Sequence, residues 1–251
     1  MEIIIYIIGG VIAGIATGLV GLSAATIIAP LFATMLGMDP YIAIGIALTS
    51  DVFASATSAS NYINNKNIDL KSASGLAISV VIFTILASYL SYSTNPKILN
   101  TSINIFVFIL GIRFLVYPVR SKIHSKVTMN KKLYVETIIW GAIIGYMSGH
   151  FGAGGGLSLL ALLTMRLGYN LKKGVGTSVF IMIFISMVGA IVHIIIGGTF
   201  IIPLIVTSIS AFIGANISSR YANKINEVKL NKVIGIFLLI YGISLIIVYF
   251  W

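Results

Sequence analysis

The sequence predicts an all-α polytopic membrane protein with two inverted repeats of about five helical segments each, interrupted by glycine-broken re-entrant or short helices. Three observations predict it: the composition, an internal repeat and the placement of basic residues. Apolar residues make up 58% of the 251 residues and charged residues 9%, a balance typical of a polytopic membrane protein. Several apolar stretches reach the roughly 20 residues that a helix needs to cross a bilayer.

The chain matches itself at a constant offset of 131 residues, without a gap. Two copies of one membrane unit are a recurrent plan of secondary transporters, whose substrate binds where the copies meet. The matched positions include small residues and glycines along the whole unit. The most distinctive are Gly10 with Gly141, Gly14 with Gly145, Gly18 with Gly149, Gly21 with Gly152, Ser55 with Ser186, and Leu36-Gly37 with Leu167-Gly168.

The first segment of each copy is too long for one crossing. Residues 3–38 and 135–167 would each be on the order of 50 Å long as single helices, against a hydrocarbon core of ~30 Å. Glycines interrupt both, so we divide each into two and count five segments per copy. The second pieces, Ser23–Gly37 and Gly156–Gly168, would each span about 20 Å. We therefore expect partial-depth helices reached through re-entrant turns that approach each other near the midplane.

The basic residues decide between eight and ten crossings. With eight crossings they divide almost evenly between the two faces, whereas with ten all the loop residues except Lys97 share one face. The positive-inside rule favours ten. Five crossings per copy invert the second copy and put both termini on the non-cytoplasmic side of the plasma membrane. The predicted units are residues 1–118, a basic cytoplasmic linker at 119–133, and residues 134–251.

The second glycine turn has the chemistry of an anion site. Consecutive glycines reach conformations in which several main-chain N–H groups point into one concavity. The turn also opens a helix, whose first N–H groups carry partial positive charge. The candidate substrate-binding residues are Gly152, Ala153, Gly154, Gly155 and Gly156 in this turn and, with fewer glycines, Gly21, Leu22 and Ser23 in the first. The earlier glycines at a spacing of four are interpreted as helix-packing positions.

Two ionisable residues lie close to these turns in sequence. Asp51 falls well inside a helix, where a carboxylate is expensive and by default suggests function, here as a coupling-ion site. The alternative is a structural pairing or a place near an interface. His150, beside the second turn, either attracts an anion when protonated or hydrogen-bonds a neighbouring helix. His193 is interpreted as interfacial or structural.

Hydroxyl pairs on the helix that follows each hairpin, that is, after the turn and its short helix, are further candidates for anion donors. The alternative is that they bond to backbone or to neighbouring helices, as such side chains usually do in membranes. Asn61 and Asn216 are interpreted as helix–helix contacts. The hydroxyl candidates are Thr49, Ser50, Thr177 and Ser178.

These motifs resemble the TauE/SafE sulfite exporter family, also called the toluene sulfonate uptake permease family, over nearly the whole chain. The resemblance depends on Gly141-x3-Gly145-x3-Gly149-x2-Gly152-Ala-Gly-Gly-Gly156, on Leu167-Gly168 and on Lys173-Gly-Val-Gly-Thr-Ser178. It implies transport of small sulfur oxyanions and organosulfonates, such as sulfite or sulfoacetate, with proton coupling. The first copy departs from the pattern, because Leu22-Ser-Ala-Ala25 replaces the glycine run.

The sequence thus predicts a secondary transporter of small anions, sulfite or organosulfonates, that works by alternating access at a midplane site. An anion channel, or a carrier of another small anion such as a carboxylate, are the alternatives. An intramembrane protease is disfavoured, because Asp51 is the one membrane carboxylate and no Gly-x-Ser-Gly motif occurs. The absence of cysteine excludes thiol chemistry. We expect no catalytic residue, cofactor, metal or nucleic acid; the partners are the anion, a coupling proton and lipid, with a homodimer left open.

Overall fold

A computed structural model of the protein describes residues 2–116, 131–153, 155–234, 236, 237 and 240. Within these residues every regular element is helical, which confirms the all-α prediction. Gly154 and most of the expected linker at 119–133 lie outside the described residues, and the proposed unit boundaries stay predictions.

The first copy contains five helices and the second follows the same plan. In the first copy they are α1 (Glu2–Val20), α2 (Ala25–Met35), α3 (Pro40–Asn64), α4 (Leu70–Tyr92) and α5 (Pro96–Val116). In the second they are α6 (Lys131–Phe151), α7 (Gly155–Ala161), continued by a π-helical turn (Leu162–Arg166), α8 (Leu171–Gly197) and α9 (Ile201–Lys224). Residues 227–234 are also helical.

The described helices differ in length, and the long apolar ones are candidate membrane spans. Within the described residues, α1, α3, α8 and α9 are long and apolar enough to span a membrane. By contrast α2 has 11 residues, about 16 Å at the helical rise per residue. The helix formed by α7 and its π-helical turn is similarly short. The predicted break of each first segment into a long and a short helix is confirmed.

Glycine and capping residues set the helix ends at equivalent points of the two copies. Gly21 and Gly152, which end the long helices, have φ of +70° and +64°, a left-handed conformation that glycine adopts without the clash of a Cβ atom. The helices that follow the short ones, α3 and α8, each begin at a side-chain cap. Asp39 accepts a hydrogen bond from the Tyr41 N–H at 2.9 Å, and Asn170 accepts one from the Lys173 N–H at 2.9 Å.

Glycines let the first helix of each copy pack closely on the fourth helix of the other. Along α1, a Cβ atom at Gly14 would overlap the main chain of Ala211 on α9. Along α6, a Cβ atom at Gly145 would overlap the main chain of Val80 on α4. Because Gly14 matches Gly145 and Ala211 matches Val80 in the repeat, the same contact is made twice. Close helix approach through small residues is the membrane packing expected of these glycines.

The central helices α3 and α8 occupy equivalent positions in the two copies and run antiparallel. The start of α3 lies against the end of α8, where Tyr41 contacts Gly197. Further along, Leu48 contacts Gly189, and near the end of α3 Tyr62 contacts Gly176, close to the start of α8. The middle of α3 therefore lies beside the middle of α8, so that residues of both copies are adjacent there. The two short helices, α2 and α7, begin close to this region.

Candidate functional site

The two glycine turns touch each other. Gly156, in the first turn of α7, packs so closely on the other turn that a Cβ atom there would overlap the Gly21 carbonyl oxygen and lie 2.8 Å from the Ser23 nitrogen. The Met182 sulfur of α8 lies on the same side. The side chain of Leu22 is fully buried beside this contact. The turns therefore approach each other as expected, and in this conformation they leave no gap at Gly156.

A carboxylate already occupies the start of α2. Asp51, in the middle of α3, is fully buried. Its Oδ1 accepts hydrogen bonds from the Ala24 N–H at 2.8 Å and the Ser55 hydroxyl at 3.2 Å. Its Oδ2 accepts from the hydroxyls of Ser23 and Ser186, each at 2.7 Å. Four donors thus surround one buried carboxylate.

The position of Asp51 has a simple electrostatic cause. The first N–H groups of a helix lack partners within it and carry partial positive charge, so a negative group is stabilised there. One bond comes from the second copy, because Ser186 lies on α8. Sequence reasoning missed both Ser55 and Ser186 as partners of Asp51. The available signal was that these two serines match each other in the repeat.

The start of α7 lacks the matching carboxylate. The residue that corresponds to Asp51 at the offset of 131 is Met182, an uncharged thioether that is also buried. Ser148 lies here instead: its hydroxyl points at Gly155, where a Cβ atom would overlap it. The Ser148 side chain is 4% exposed, and its hydroxyl has no hydrogen-bond partner among the described residues. Among the described residues, a carboxyl group is therefore bonded at the first turn, whereas the matching position at the second turn is Met182.

Other parts of the second turn are packed rather than open. Gly152 lies against the Ile44 side chain of α3, and Ala153 is fully buried. His150 is half-buried, with its ring stacked on Tyr146 at 5.4 Å between centroids. Its Nδ1 atom is buried without a partner among the described residues.

Of the four hydroxyl candidates, one adjoins a turn. Ser178 lies next to Gly21 and donates to the Val175 carbonyl at 2.8 Å. The Thr177 hydroxyl accepts from the Asp69 N–H at 3.1 Å, at the end of the α3–α4 loop. Thr49 donates to the Gly45 carbonyl at 2.8 Å within α3. Ser50 bonds within α3 at 3.0 Å and lies 3.3 Å from the Ser208 hydroxyl of α9.

The remaining polar residues named from the sequence are helix–helix contacts. Asn61 donates to the Asn216 amide oxygen at 3.2 Å, which joins α3 to α9 as expected. His193 is fully buried between α3 and α6, with its ring nitrogens close to main-chain carbonyls of both helices. The described residues contain no cluster of three or more metal-ligating side chains.

A polar network joins three segments at one end of the helices. Asp69 accepts a hydrogen bond from the Tyr169 hydroxyl at 2.9 Å and pairs with the Lys173 ammonium at 3.5 Å. The Lys172 ammonium donates to the Asn223 carbonyl at 2.8 Å, and Asn67 donates to the Asn223 side chain at 2.8 Å. We call this network the polar clasp; its members are Asn67, Asp69, Tyr169, Lys172, Lys173 and Asn223.

At the opposite end of the helices, near the start of α3, the structure has a cavity in place of the polar contacts of the clasp. The residues that match Asp69, Tyr169 and Lys173 in the repeat are Phe200, Met38 and Ile42. All three line one cavity of about 1070 Å³, together with residues at the end of α2 and the start of α9. Three residues of the clasp are therefore joined by polar contacts, whereas the three residues that match them in the repeat line a cavity.

Comparison with known proteins shows the family of this chain. Residues 6–245 match the family described as Sulfite exporter TauE/SafE. Two similar proteins from Bacillus subtilis are the probable membrane transporter proteins YunE, 24% identical over 98% of both chains, and YdhB, 22% identical over 93% of this chain and 96% of its own. A probable membrane transporter from Methanocaldococcus jannaschii is 27% identical over 74% of this chain and 70% of its own. No solved structure matches the chain.

Proposed function

Since the chain belongs to the sulfite exporter TauE/SafE family of multi-pass membrane transporters and is not an enzyme, we propose that it is a secondary transporter of small anions. The proposed substrates are sulfite or organosulfonates, carried by alternating access. The observation that carries the proposal is the unequal charge of the two turns. The first holds its own carboxylate, whereas the second offers donors of the same kind without one.

Asp51 indicates what such a turn binds. A carboxylate is held at the start of α2 by a main-chain N–H and hydroxyl groups in a fully buried place. At the start of α7 the corresponding position holds Met182, so no internal carboxylate from that position neutralises the helix end. The Ser148 hydroxyl and the first N–H groups of α7 are the donors that an oxyanion would take up. The proposed substrate site is the turn 152–156, with Ser23 and Ser178 from the facing side.

The substrate can enter only when the turns part, because Gly156 now lies against Gly21 and Ser23. Two features support alternating access as the way they part. The equivalent helices α3 and α8 run antiparallel, which supports an inverted relation between residues 1–118 and 134–251. The polar clasp closes one end while the matching end holds a cavity, as expected of one of two states in such a transporter.

The charges at the two ends support an orientation. Lys172 and Lys173 belong to the clasp, and Lys66 lies on the adjoining α3–α4 loop. Glu2 and Asp39 line the cavity at the other end. Because basic residues mark cytoplasmic loops, we infer that the clasp end is cytoplasmic. Both termini and the cavity would then be non-cytoplasmic, and the linker 119–133 cytoplasmic.

Asp51 is the proposed coupling-ion residue. It bonds the first turn and α8 of the second copy at once, so its charge bears on the contact between the copies. A proton on the carboxylate would turn one acceptor oxygen into a donor and weaken four charge-assisted bonds. Proton uptake at Asp51 would therefore weaken the contact between α3 and the first turn. The first turn is the one that the substrate must displace to reach the second turn.

The proposal is tested by uptake into proteoliposomes of sulfite, sulfate, thiosulfate, sulfoacetate, taurine and acetate. A carrier gives saturable uptake with stimulation by anion on the opposite side; large electrical conductance without saturation would indicate a channel instead. Ser148→Ala should weaken the apparent affinity by about 10-fold or more, since a hydrogen bond to a charged group contributes roughly 1.5–3 kcal/mol.

The matched control for Ser148 is the equivalent residue of the first copy. Thr17 donates to the Ala13 carbonyl at 3.0 Å within α1, so Thr17→Val removes a buried hydroxyl without touching the second turn. We expect its affinity to stay close to that of the unmodified protein. Equal effects of the two substitutions, or no response to any anion, would contradict the proposed site.

A further inference from the structure

His193, a fully buried residue near the end of α8, has main-chain carbonyls at both ring nitrogens. Its Nδ1 lies 3.1 Å from the Tyr41 oxygen of α3, and its Nε2 lies 3.2 Å from the Gly149 oxygen of α6. A neutral imidazole has one N–H donor and one lone pair, so it can satisfy only one carbonyl and turns its lone pair on the other. The imidazolium donates to both.

The equivalent residue in the first copy shows which of these bonds a neutral side chain can make. Tyr62 matches His193 in the repeat, and its hydroxyl donates to the Gly18 carbonyl at 3.1 Å. Gly18 matches Gly149, so both residues cap the last turn of the long helix that precedes a glycine turn. A tyrosine hydroxyl is enough for this cap. The histidine adds a second nitrogen, directed at Tyr41, that the cap does not need.

The surroundings of His193 stabilise a positive charge in two ways. Gly149 lies in the last turn of α6, where helix carbonyls carry partial negative charge. The ring of Tyr41 stacks on the imidazole, with centroids 4.0 Å apart and planes 28° from parallel, an arrangement that attracts a cation to the ring face. These contacts oppose the loss of solvation that burial imposes on the charge.

The titratable groups around His193 and its partner Tyr41 are tyrosines, which are neutral when protonated, and one imidazole, which is neutral when unprotonated. Tyr41 belongs to α3, and Tyr92 of α4 meets the Tyr41 ring edge-on at 5.3 Å. His150 of α6 is the nearest other imidazole that acts on His193 electrostatically. A proton on His150 would repel one on His193, so the two would not be charged together.

We propose that His193 is a proton-binding site, and that the conformation described here is its protonated form. Loss of the proton leaves one of the two carbonyls facing a lone pair, which loosens α8 from either the end of α6 or the start of α3. Because the end of α6 leads directly into the turn 152–156, the proton bears on the position of the second turn. This last step rests on the proposed transport function, whereas the charge of His193 does not.

The charge is measured on the full chain in lipid bilayers by solid-state NMR of protein labelled with ¹⁵N-histidine. The sequence has three histidines, so the His193 signals are those that disappear in His193→Tyr. We expect both ring nitrogens to be protonated at neutral pH. One protonated and one unprotonated nitrogen would overturn the proposal, whether or not any anion is transported.

The role in transport is measured by the pH profile of uptake. His193→Tyr copies the residue of the first copy and can keep the bond to Gly149, so its thermal stability should stay near that of the unmodified protein. We expect its uptake to lose the pH-dependent component that accompanies loss of the His193 proton as the pH rises above neutral. Tyr62→Phe, which removes the corresponding bond to Gly18, should keep that component. An unchanged profile in His193→Tyr would overturn the link between this proton and the second turn.

Discussion

Removal of Asp69 should open the clasp end of the protein. Asp69→Ala deletes the acceptor of the Tyr169 hydroxyl bond and the partner of Lys173. A hydrogen bond to a charged group contributes roughly 1.5–3 kcal/mol. The ion pair adds roughly 0.2–1 kcal/mol or less, because the Lys173 side chain is 33% exposed and the pair is screened by water. We take a total of about 2 kcal/mol, near the lower end of these two ranges, which corresponds to a shift of about 30-fold between closed and open states.

The native chain suits a labelling assay because it contains no cysteine. A single Asn67→Cys in the clasp reports opening through its reaction with a membrane-impermeant maleimide. The substitution removes the bond to Asn223 in every variant alike, so labelling rates are compared within the Asn67→Cys background. We expect the labelling rate at this position to rise about 30-fold in Asp69→Ala, by the shift worked out above. Asp69→Asn, which can still accept from Tyr169, should give an intermediate rate.

Phe200 provides the matched control, since it occupies the position of Asp69 in the second copy and lines the cavity. Phe200→Ala should leave the labelling rate at the clasp unchanged. If Asn67→Cys is labelled at the same rate with and without Asp69→Ala, the polar clasp does not hold this end closed, and the reasoning is refuted.

Three further predictions follow from the turns and the glycines. Met182→Asp places a carboxylate at the start of α7, as Asp51 does at α2, and should abolish anion uptake, whereas Met182→Leu should not; retained uptake in the aspartate variant would refute anion binding there. Asp51→Asn should abolish uptake driven by a pH gradient while anion exchange without a gradient persists, and unchanged coupling would remove Asp51 from the mechanism. Gly14→Ala should lower the free energy of unfolding by roughly 1–3 kcal/mol because its methyl group overlaps Ala211. Gly37→Ala, with φ of +61° and open space around it, should lower it by about 1–2 kcal/mol through backbone strain alone. Denaturation in detergent that left Gly14→Ala as stable as the unmodified protein would contradict the packing.

The sequence predicted the breaks in the long segments because their cause is local. A glycine at a chain reversal can be recognised from the local sequence. Gly21 and Gly152 correspond to each other in the repeat, and both have positive φ angles. The contact between the turns was also predictable, once both short helices had been assigned to the middle of the membrane.

The partners of Asp51 could not be predicted in this way. The repeat showed that Ser55 and Ser186 are equivalent positions. It did not show that both hydroxyls donate to the same carboxylate, that of Asp51. The hydroxyl pairs show the same limit. Thr49 corresponds to Phe180 and not to Thr177, so the two pairs lie at different heights of their helices, and only the packing reveals that Thr177 belongs to the clasp end.

The carboxylate at the start of α2 has a consequence for stoichiometry. If the second turn is the anion site, as proposed, a chain that holds Asp51 in the first turn has one free site, so each turnover should move one anion per polypeptide. A chimera made of two second halves would instead present two vacancies and no resident charge. Counting the anions bound per chain in that chimera and in the parent would show whether the difference between Asp51 and Met182 sets the number of anions carried.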